Sequence, residues 1–409
     1  MTTQANKKLP MVQLLLCGAL IVTLSMGIRH GFGLWLQPIT QANDWTRQNF
    51  ALAIGIQNIS WGIFGIFAGM LADKFGAVKV IIAGAICYAL GLAGMALSTT
   101  VTMFTLTAGV LIGAAQAGTT YAVVYGVVGR NIDPAKRSWA MGVVAAAGSF
   151  GQFLMVPTEG YLISHFGWLQ ALQILSLAAL LMVPLAFFLR EPGFSKGSVP
   201  AQRDQTIGQA LTEAFKYPSF QLLMAGYFVC GFQVVFIGVH MPSYLKDKGL
   251  DLSVASYALA LIGLFNVFGT YIAGSLGQRL AKRKILSFIY FSRAVVIAVF
   301  LIVPLSPASV YIFASVMGLL WLSTVPPTNA AVAQIFGIQH LSMLGGFVFF
   351  SHQIGSFMGV WLGGYLYDKT GSYDIVWIIA IVLGVLAGLV NLPIREAAIA
   401  RPALKPAAA

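Results

Sequence analysis

Two arginines stand inside stretches that are otherwise apolar: Arg29, in Ser25-Met26-Gly27-Ile28-Arg29-His30-Gly31-Phe32-Gly33, and Arg293, in Tyr290-Phe291-Ser292-Arg293-Ala294. An ionisable group in hydrocarbon is costly, so each needs a function or a partner to explain it. Ser25, Arg29, Gly33 and Gln37 recur at i, i+4 spacing and therefore share one helical face. A guanidinium on such a stripe can hold a planar carboxylate through two parallel charge-assisted hydrogen bonds. Its glycines would let a ligand come close to the backbone. The competing role is a guanidinium that bridges backbone carbonyls. Arg293 lies about nine residues into its stretch, which at about 1.5 Å per residue is near the middle of a bilayer. It either braces neighbouring helices or reaches inward as a second anion contact.

Carboxylates are scarcer. Glu159 is the one acidic residue close to the interior of an apolar stretch, on a face shared with Ser149, Gln152 and Val156. Two guanidinium groups against at most one carboxylate make the interior net positive, which favours an anion and disfavours cations. A proton could be carried by His352, by His240 or by Glu159. His240 shares a stripe with Gln233 and Tyr244, and His352 sits beside Gln353 and Ser356. His30 points about 100° away from Arg29, and His165 and His340 fall in loops. No spacing among the histidines suits a metal, and Cys17, Cys87 and Cys230 each read as a small core residue in a separate apolar stretch. Nucleotide loops and nucleophile–base pairs are absent too, so neither an enzyme nor a cofactor is expected. Further cavity candidates are Gln57, Asn58 and Trp61; Gln116, Thr120 and Tyr121; and Trp321, Thr324, Thr328 and Asn329, with hydrogen bonding between helices as their alternative use. Pro326-Pro327 predicts a bend beside the last group.

The elements that must position these groups follow from composition. The chain has 409 residues, 58% hydrophobic and 9% charged, where soluble domains carry about 25% charged residues. With about 20 apolar residues needed per crossing, twelve spans are expected at 11–37, 50–71, 79–98, 103–129, 139–162, 168–189, 218–245, 254–276, 285–304, 309–334, 342–366 and 373–393. With the N-terminus inside, the outer loops hold only Arg47, Lys246, Lys248 and Lys369; apart from Arg29 and Arg293, the rest of the 24 basic residues lie inside. The net charge of +12 is thus a topology signal, not a nucleic-acid patch. Lys7-Lys8 before an apolar run could open a signal peptide, but no small-residue cleavage site follows. The reading is a multi-pass protein of a bacterial-type inner membrane, acting as a monomer in the bilayer, with both termini cytoplasmic.

The one long polar connection, 190–216, divides the chain into bundles at 1–189 and 217–409. An internal repeat at an offset of 204–205 residues supports this division: Gly113 pairs with Gly318, Thr119 with Thr324, Gly151 with Gly355, Gly160 with Gly364 and Pro38 with Pro242. Such repeats place a substrate site near the midplane, between halves that rock against each other.

The segment Gly69-Met70-Leu71-Ala72-Asp73-Lys74-Phe75-Gly76, between spans 2 and 3, resembles the signature loop of the major facilitator superfamily. Ala77 and Val78 replace its first basic positions, and the second-half copy has Gln278 in place of the aspartate. The resemblance implies an all-α membrane fold of two six-helix bundles related by a pseudo-two-fold axis. It implies a gating latch in which Gly69, Asp73 and Gly76 work with Arg130 at the end of span 4, and in which Asp73 faces the start of span 11 near Leu341-Ser342. The texture is closest to the bacterial monocarboxylate and oxalate/formate branch, although Asn266 and Thr270 stand where that branch often has an arginine. A secondary transporter of a small organic anion, by proton symport or anion exchange, is therefore expected. Its binding candidates are Arg29, Gln57, Gln116, Tyr121, Gln152, Gln233, His240, Asn266, Arg293, Asn329 and His352. The alternatives are a carrier or exporter of neutral or hydrophobic compounds, and a membrane sensor.

Overall fold

The computed structural model describes residues 9–191, 205–337 and 340–399. The basic residues Lys7, Lys8, Lys196, Arg203, Arg401 and Lys405 lie outside them. The regular structure among the described residues is entirely helical. Helix is the form that satisfies every backbone polar group within its own segment, as hydrocarbon demands. Among the described residues, eleven helical stretches are long and apolar enough to cross a membrane. One of them, Trp139–Phe187, turns at Gly167 (φ 76°, ψ 163°), a conformation that favours glycine, so the spans number twelve.

Span 1 is Met11–His30 continued by Phe32–Asn43, span 2 Arg47–Phe75, span 3 Ala77–Leu97 and span 4 Val101–Asn131. Spans 5 and 6 run within Pro134–Ala179 and on to Phe187. Span 7 is Pro218–Asp247, span 8 Leu252–Leu276 and span 9 Lys282–Ile302; span 10 is Pro307–Leu320 with Val325–Phe336, span 11 Leu341–Thr370 and span 12 Asp374–Asn391. A short amphipathic helix, Ile207–Lys216, precedes span 7 behind a capping box of Thr206 and Gln209. Local signals set the boundaries. The Thr46 hydroxyl accepts from the Asn49 N–H to start span 2, and Gly76 at φ 90° ends it.

The repeat is visible in the packing. A Cβ on Gly151 of span 5 would meet the Thr23 carbonyl oxygen at 2.4 Å, and one on its mate Gly355 of span 11 would meet that of Phe228 at 1.9 Å. Gly113 of span 4 closes on the Gln57 carbonyl as Gly318 of span 10 closes on that of Ile262. The seam between the halves follows the same rule, with Gly160 of span 5 against Ser256 of span 8, and Gly364 of span 11 against Ala51 of span 2.

Along that seam the two ends differ. At the end away from the basic loops, called the far end here, Gly33 of span 1 packs on the Gly238 carbonyl of span 7, and Gly364 on the backbone of Arg47 and Gln48. Contact continues to the edge of Phe349 against Trp61 (5.3 Å between centroids) and to Ser149 against Asn266. Beyond that level, at the basic end, a Cβ on Gly65, Gly69, Gly142 or Gly346 would meet nothing within 4 Å. The far end is shut and the basic end is parted.

Candidate functional site

Where the halves separate, a cavity is lined by Arg29, His30, Phe32, Gly33, Ile54, Gln57 and Gln152 from the first half and by Val234, Val235, Gly238, Val239, Leu259 and Trp321 from the second. Span 1 is interrupted at Gly31, which sets Arg29 at the end of one helical segment and Phe32 at the start of the next. One Nη of Arg29 donates to the Asn58 Oδ1 at 2.6 Å, and the guanidinium lies 4.7 Å from the centre of the Trp61 ring. Its Nε has no acceptor. Among the described residues Arg29 forms no ion pair. The Nε2 groups of Gln57 and Gln152 donate to the carbonyls of Ala108 (2.7 Å) and Leu259 (2.8 Å). What remains facing the space is one guanidinium, the His30 ring, amide oxygens and apolar walls.

The other predicted residues distribute around this cavity. Gln116 donates weakly to the Gln57 Oε1 at 3.5 Å, and its own Oε1 is buried without a donor. Tyr121 opens the second segment of span 4, after a break at Thr120, and its hydroxyl lies against Gly148. Asn266 crosses the seam, donating to the Ser149 Oγ at 2.8 Å and accepting from the Leu322 N–H at 2.9 Å. Asn329 is exposed beside Gly345 on the parted side. His352 is buried between Tyr227 and Phe349, with Nδ1 near the Gln353 Oε1 and the Ser356 Oγ.

Three expectations need correction. Arg293 is fully buried and does not line the cavity. Its Nε and one Nη donate to the Leu320 carbonyl at 3.1 and 2.7 Å, that Nη also to the Trp321 carbonyl, and the other Nη to the Gln233 Oε1 at 3.3 Å. Span 10 breaks after Leu320 and resumes at Val325 with proline in its first turn. The break frees those carbonyls, and Arg293 takes them up; it is a brace. Gln233 donates to the Ala380 carbonyl at 2.9 Å besides receiving Arg293, so it too faces inward to the second bundle. His240 has both ring nitrogens engaged, with the Tyr373 hydroxyl (3.1 Å) and the Val360 carbonyl (2.7 Å), and stays behind the cavity wall.

Glu159 is fully buried, and its Oε2 accepts from the Trp35 Nε1 at 2.8 Å. Its Oε1 has no donor, and the carboxyl fills the space above Gly31, where a Cβ would lie 1.9 Å from Oε2.

The sequence model of the Major Facilitator Superfamily matches residues 15–337. The chain belongs to that superfamily. Within it, the chain is 25% identical over 376 residues to the MFS-type transporter YcxA of Bacillus subtilis (strain 168), covering 89% of this chain and 90% of that one. It is 24% identical over 364 residues to monocarboxylate transporter 13 of Bos taurus, covering 87% and 83%. The fold matches the crystal structure of a bacterial homologue of the human lysosomal transporter Spinster, in its inward-facing, unoccupied conformation, with TM-score 0.75 at 16% identity over 94% of this chain and 98% of that one. The chain is a multi-pass membrane transporter and not an enzyme.

Among the described residues, the bonds of the superfamily's signature loop join groups of the first half. Arg130 donates to the Asp73 Oδ1 at 2.7 Å and, through Nε and Nη2, to both oxygens of Glu191 at 3.0 and 3.1 Å. The Asp73 side chain is 71% exposed, so its pair is screened by water and worth little. Glu191, which the sequence reading passed over, is the more buried partner.

A second polar group was also missed. Arg47 at the start of span 2 grips Asp247 at the end of span 7 through two bonds of 2.7 Å, donates to the Tyr373 hydroxyl at 2.9 Å and lies 3.7 Å over the Tyr367 ring. The Arg47 and Gln48 N–H groups donate to Asp368 at 3.2 and 2.7 Å, and Gln37 adds a bond to Asp247 at 2.8 Å. This clamp joins the two halves across the shut far end. Its one signal in the sequence is that charges recur at span ends on a side otherwise poor in them.

Proposed function

We propose that this chain is a secondary transporter that carries a small organic anion, a monocarboxylate with an apolar body, by alternating access. The observation that carries the reading is the single uncompensated guanidinium, Arg29, in an otherwise uncharged cavity between the halves. Its remaining Nη donors suit one carboxylate, and its Nε, buried without an acceptor, leaves the charge uncompensated. Phe32, Ile54, Val234, Val235, Val239 and Leu259 would meet the rest of the molecule, and they offer nothing to a polyol or a second carboxylate. Similarity to a monocarboxylate transporter supports the same class. The excess of Lys and Arg in the loops of the parted end supports a cytoplasmic location for that end, and with it an arrangement open to the inside of a bacterial-type inner membrane.

The competing reading, a carrier of neutral hydrophobic compounds, draws on the same apolar walls and is separated from the first by Arg29. Purified protein is screened against organic acids by thermal shift, since a ligand of the folded state raises apparent stability. With the best acid, Arg29→Gln is expected to lose about 1.5–3 kcal/mol of binding, or roughly one to two decades in affinity. Arg29→Lys recovers only part, because a point charge does not reproduce the fork. Unchanged affinity in Arg29→Gln would sink the anion assignment and favour the neutral carrier.

A further inference from the structure

We propose that the cavity selects a hydroxylated acid. Gln57 and Gln152, with His30, form a subsite of bare acceptors that takes the O–H of the molecule whose carboxylate Arg29 holds. The proposal rests on the anion reading above and narrows it.

The acceptor character follows from what holds each side chain. A backbone carbonyl can only accept a hydrogen bond, so the side-chain atom that meets it must be a donor. The Gln57 amide meets the Ala108 carbonyl of span 4 at 2.7 Å, and the Gln152 amide meets the Leu259 carbonyl of span 8 at 2.8 Å. Each Nε2 group is engaged there, which fixes the amide and leaves Oε1 over. The His30 ring is held in the same way. Its Nδ1 lies 2.6 Å from the Met26 carbonyl one turn back. Nδ1 therefore carries the hydrogen, and Nε2 of the neutral ring keeps its lone pair. All three residues line the cavity, and they reach it from spans 2, 5 and 1.

These acceptors are short of donors. The Gln57 Oε1 receives one long bond, of 3.5 Å, from Gln116. Among the described residues no donor reaches the Gln152 Oε1 or the His30 Nε2. Gln57 and Gln152 are each 1% exposed, so the little of them that is accessible faces the cavity. Besides the guanidinium, the side chains of the lining include one N–H, that of Trp321, and it is buried out of reach. No hydroxyl or carboxyl group lines the space.

A cargo whose second polar group is also an acceptor, such as an oxo acid, would set its lone pairs against these. An unsubstituted acid would displace water from them and give nothing in return. Both leave buried acceptors unmet, which is costly. An ammonium group would donate, but it would be a second cation in a cavity that already holds Arg29 and no carboxylate. An uncharged O–H is the group that fits. Selection of this kind is strong, because a site built to bond an O–H penalises the analogue that lacks it.

The test compares acids of one carbon skeleton on the purified protein: butyrate, 2- and 3-hydroxybutyrate, 2-oxobutyrate and 2-aminobutyrate. Dissociation constants are measured by calorimetric titration. The better hydroxy acid is expected to bind roughly 10- to 100-fold tighter than butyrate or the oxo acid, the range set by one unmet buried acceptor. Gln152→Leu should bring that ratio close to one while leaving butyrate within about twofold of wild type. A merely structural loss would weaken every acid alike. Because Gln152 also bonds across the seam, Gln57→Leu and His30→Phe, whose bonds stay within the first half, provide the same reading if Gln152→Leu does not fold. A ratio unaltered in all the variants that fold overturns the proposal. So does a wild type that binds the unsubstituted, oxo or amino acid as tightly as the hydroxy acids, and in both cases the anion reading stands. If none of the acids binds, or if Arg29→Gln binds them as wild type does, the anion reading fails and this one with it.

Discussion

Removing the guanidinium of Arg293 would leave the carbonyl oxygens of Leu320 and Trp321 buried without the donor they now share. An orphaned buried acceptor costs about 1–3 kcal/mol. Arg293→Gln is therefore expected to lower the thermal unfolding temperature in detergent and the yield of folded protein, while the affinity of the folded fraction for the best acid stays within about twofold of wild type, a free-energy change well below that of any direct contact. A loss of affinity with unchanged stability would return Arg293 to the binding site. Arg29 is the opposite case. It has one side-chain acceptor, an aromatic face and a buried Nε without an acceptor, in a side chain that lines an open cavity. Both residues have the same cost in hydrocarbon, and the sequence marks both. Which is a brace and which faces the cavity depends on where the break in span 10 leaves its carbonyls, some 27 residues away from Arg293.

At the scale of the helices, two discontinuities shape the site. Span 4 breaks at Thr120 and span 10 between Leu320 and Val325, in matching positions of the repeat. The span 10 break was legible, because prolines in sequence cannot donate to the preceding turn. The span 4 break carries no proline and was not. The clamp at the far end is likewise an arrangement of element ends. Arg47 and Asp247 are 12% and 27% exposed, so their bidentate pair is sheltered enough to matter. Asp247→Asn would lose one charge-assisted pair, about 1.5 kcal/mol at the lower end for such bonds, and shift the balance toward a far-end-open form by roughly tenfold. Accessibility of a cysteine at Gln37, which is buried under the clamp, should rise in the same proportion. No change in its labelling rate would mean that apolar packing at Gly33 and Gly364 alone keeps the end shut.

At the scale of the whole molecule and among the described residues, the halves meet through pairs of glycines that obey the repeat and through the clamp, at the far end and not at the basic end. The topology drawn from the basic residues makes a separate prediction. In intact cells an impermeant thiol reagent should reach Ala42→Cys, which is exposed at the far end, and should not reach Lys136→Cys, which is exposed at the basic end, until the membrane is permeabilised. Labelling of both in intact cells would refute the orientation. Among the described residues the clamp, rather than the signature loop, supplies the charged contacts between the halves. Asp73, Arg130 and Glu191 all belong to the first half, whereas the bonds between Arg47 and its partners Asp247 and Asp368 join chain positions 200 and 321 residues apart.

Hydrophobic run length and the offset repeat determined the number of spans and the two-bundle plan, because each of these is a property of consecutive residues facing one solvent; the distribution of Lys and Arg supports the orientation proposed above. They also determined that Arg29, Arg293 and Glu159 needed explaining, since burying an ionisable group is expensive wherever it lands. The tertiary structure alone decided how each cost is met. It gave Arg293 the freed carbonyls of span 10, set Glu159 against Gly31 and Trp35 of span 1, engaged both nitrogens of His240 within the second half, and left Arg29 without an ion pair among the described residues at the cavity. Those outcomes depend on which backbone and side-chain groups arrive from helices distant in sequence, and no spacing along the chain encodes that.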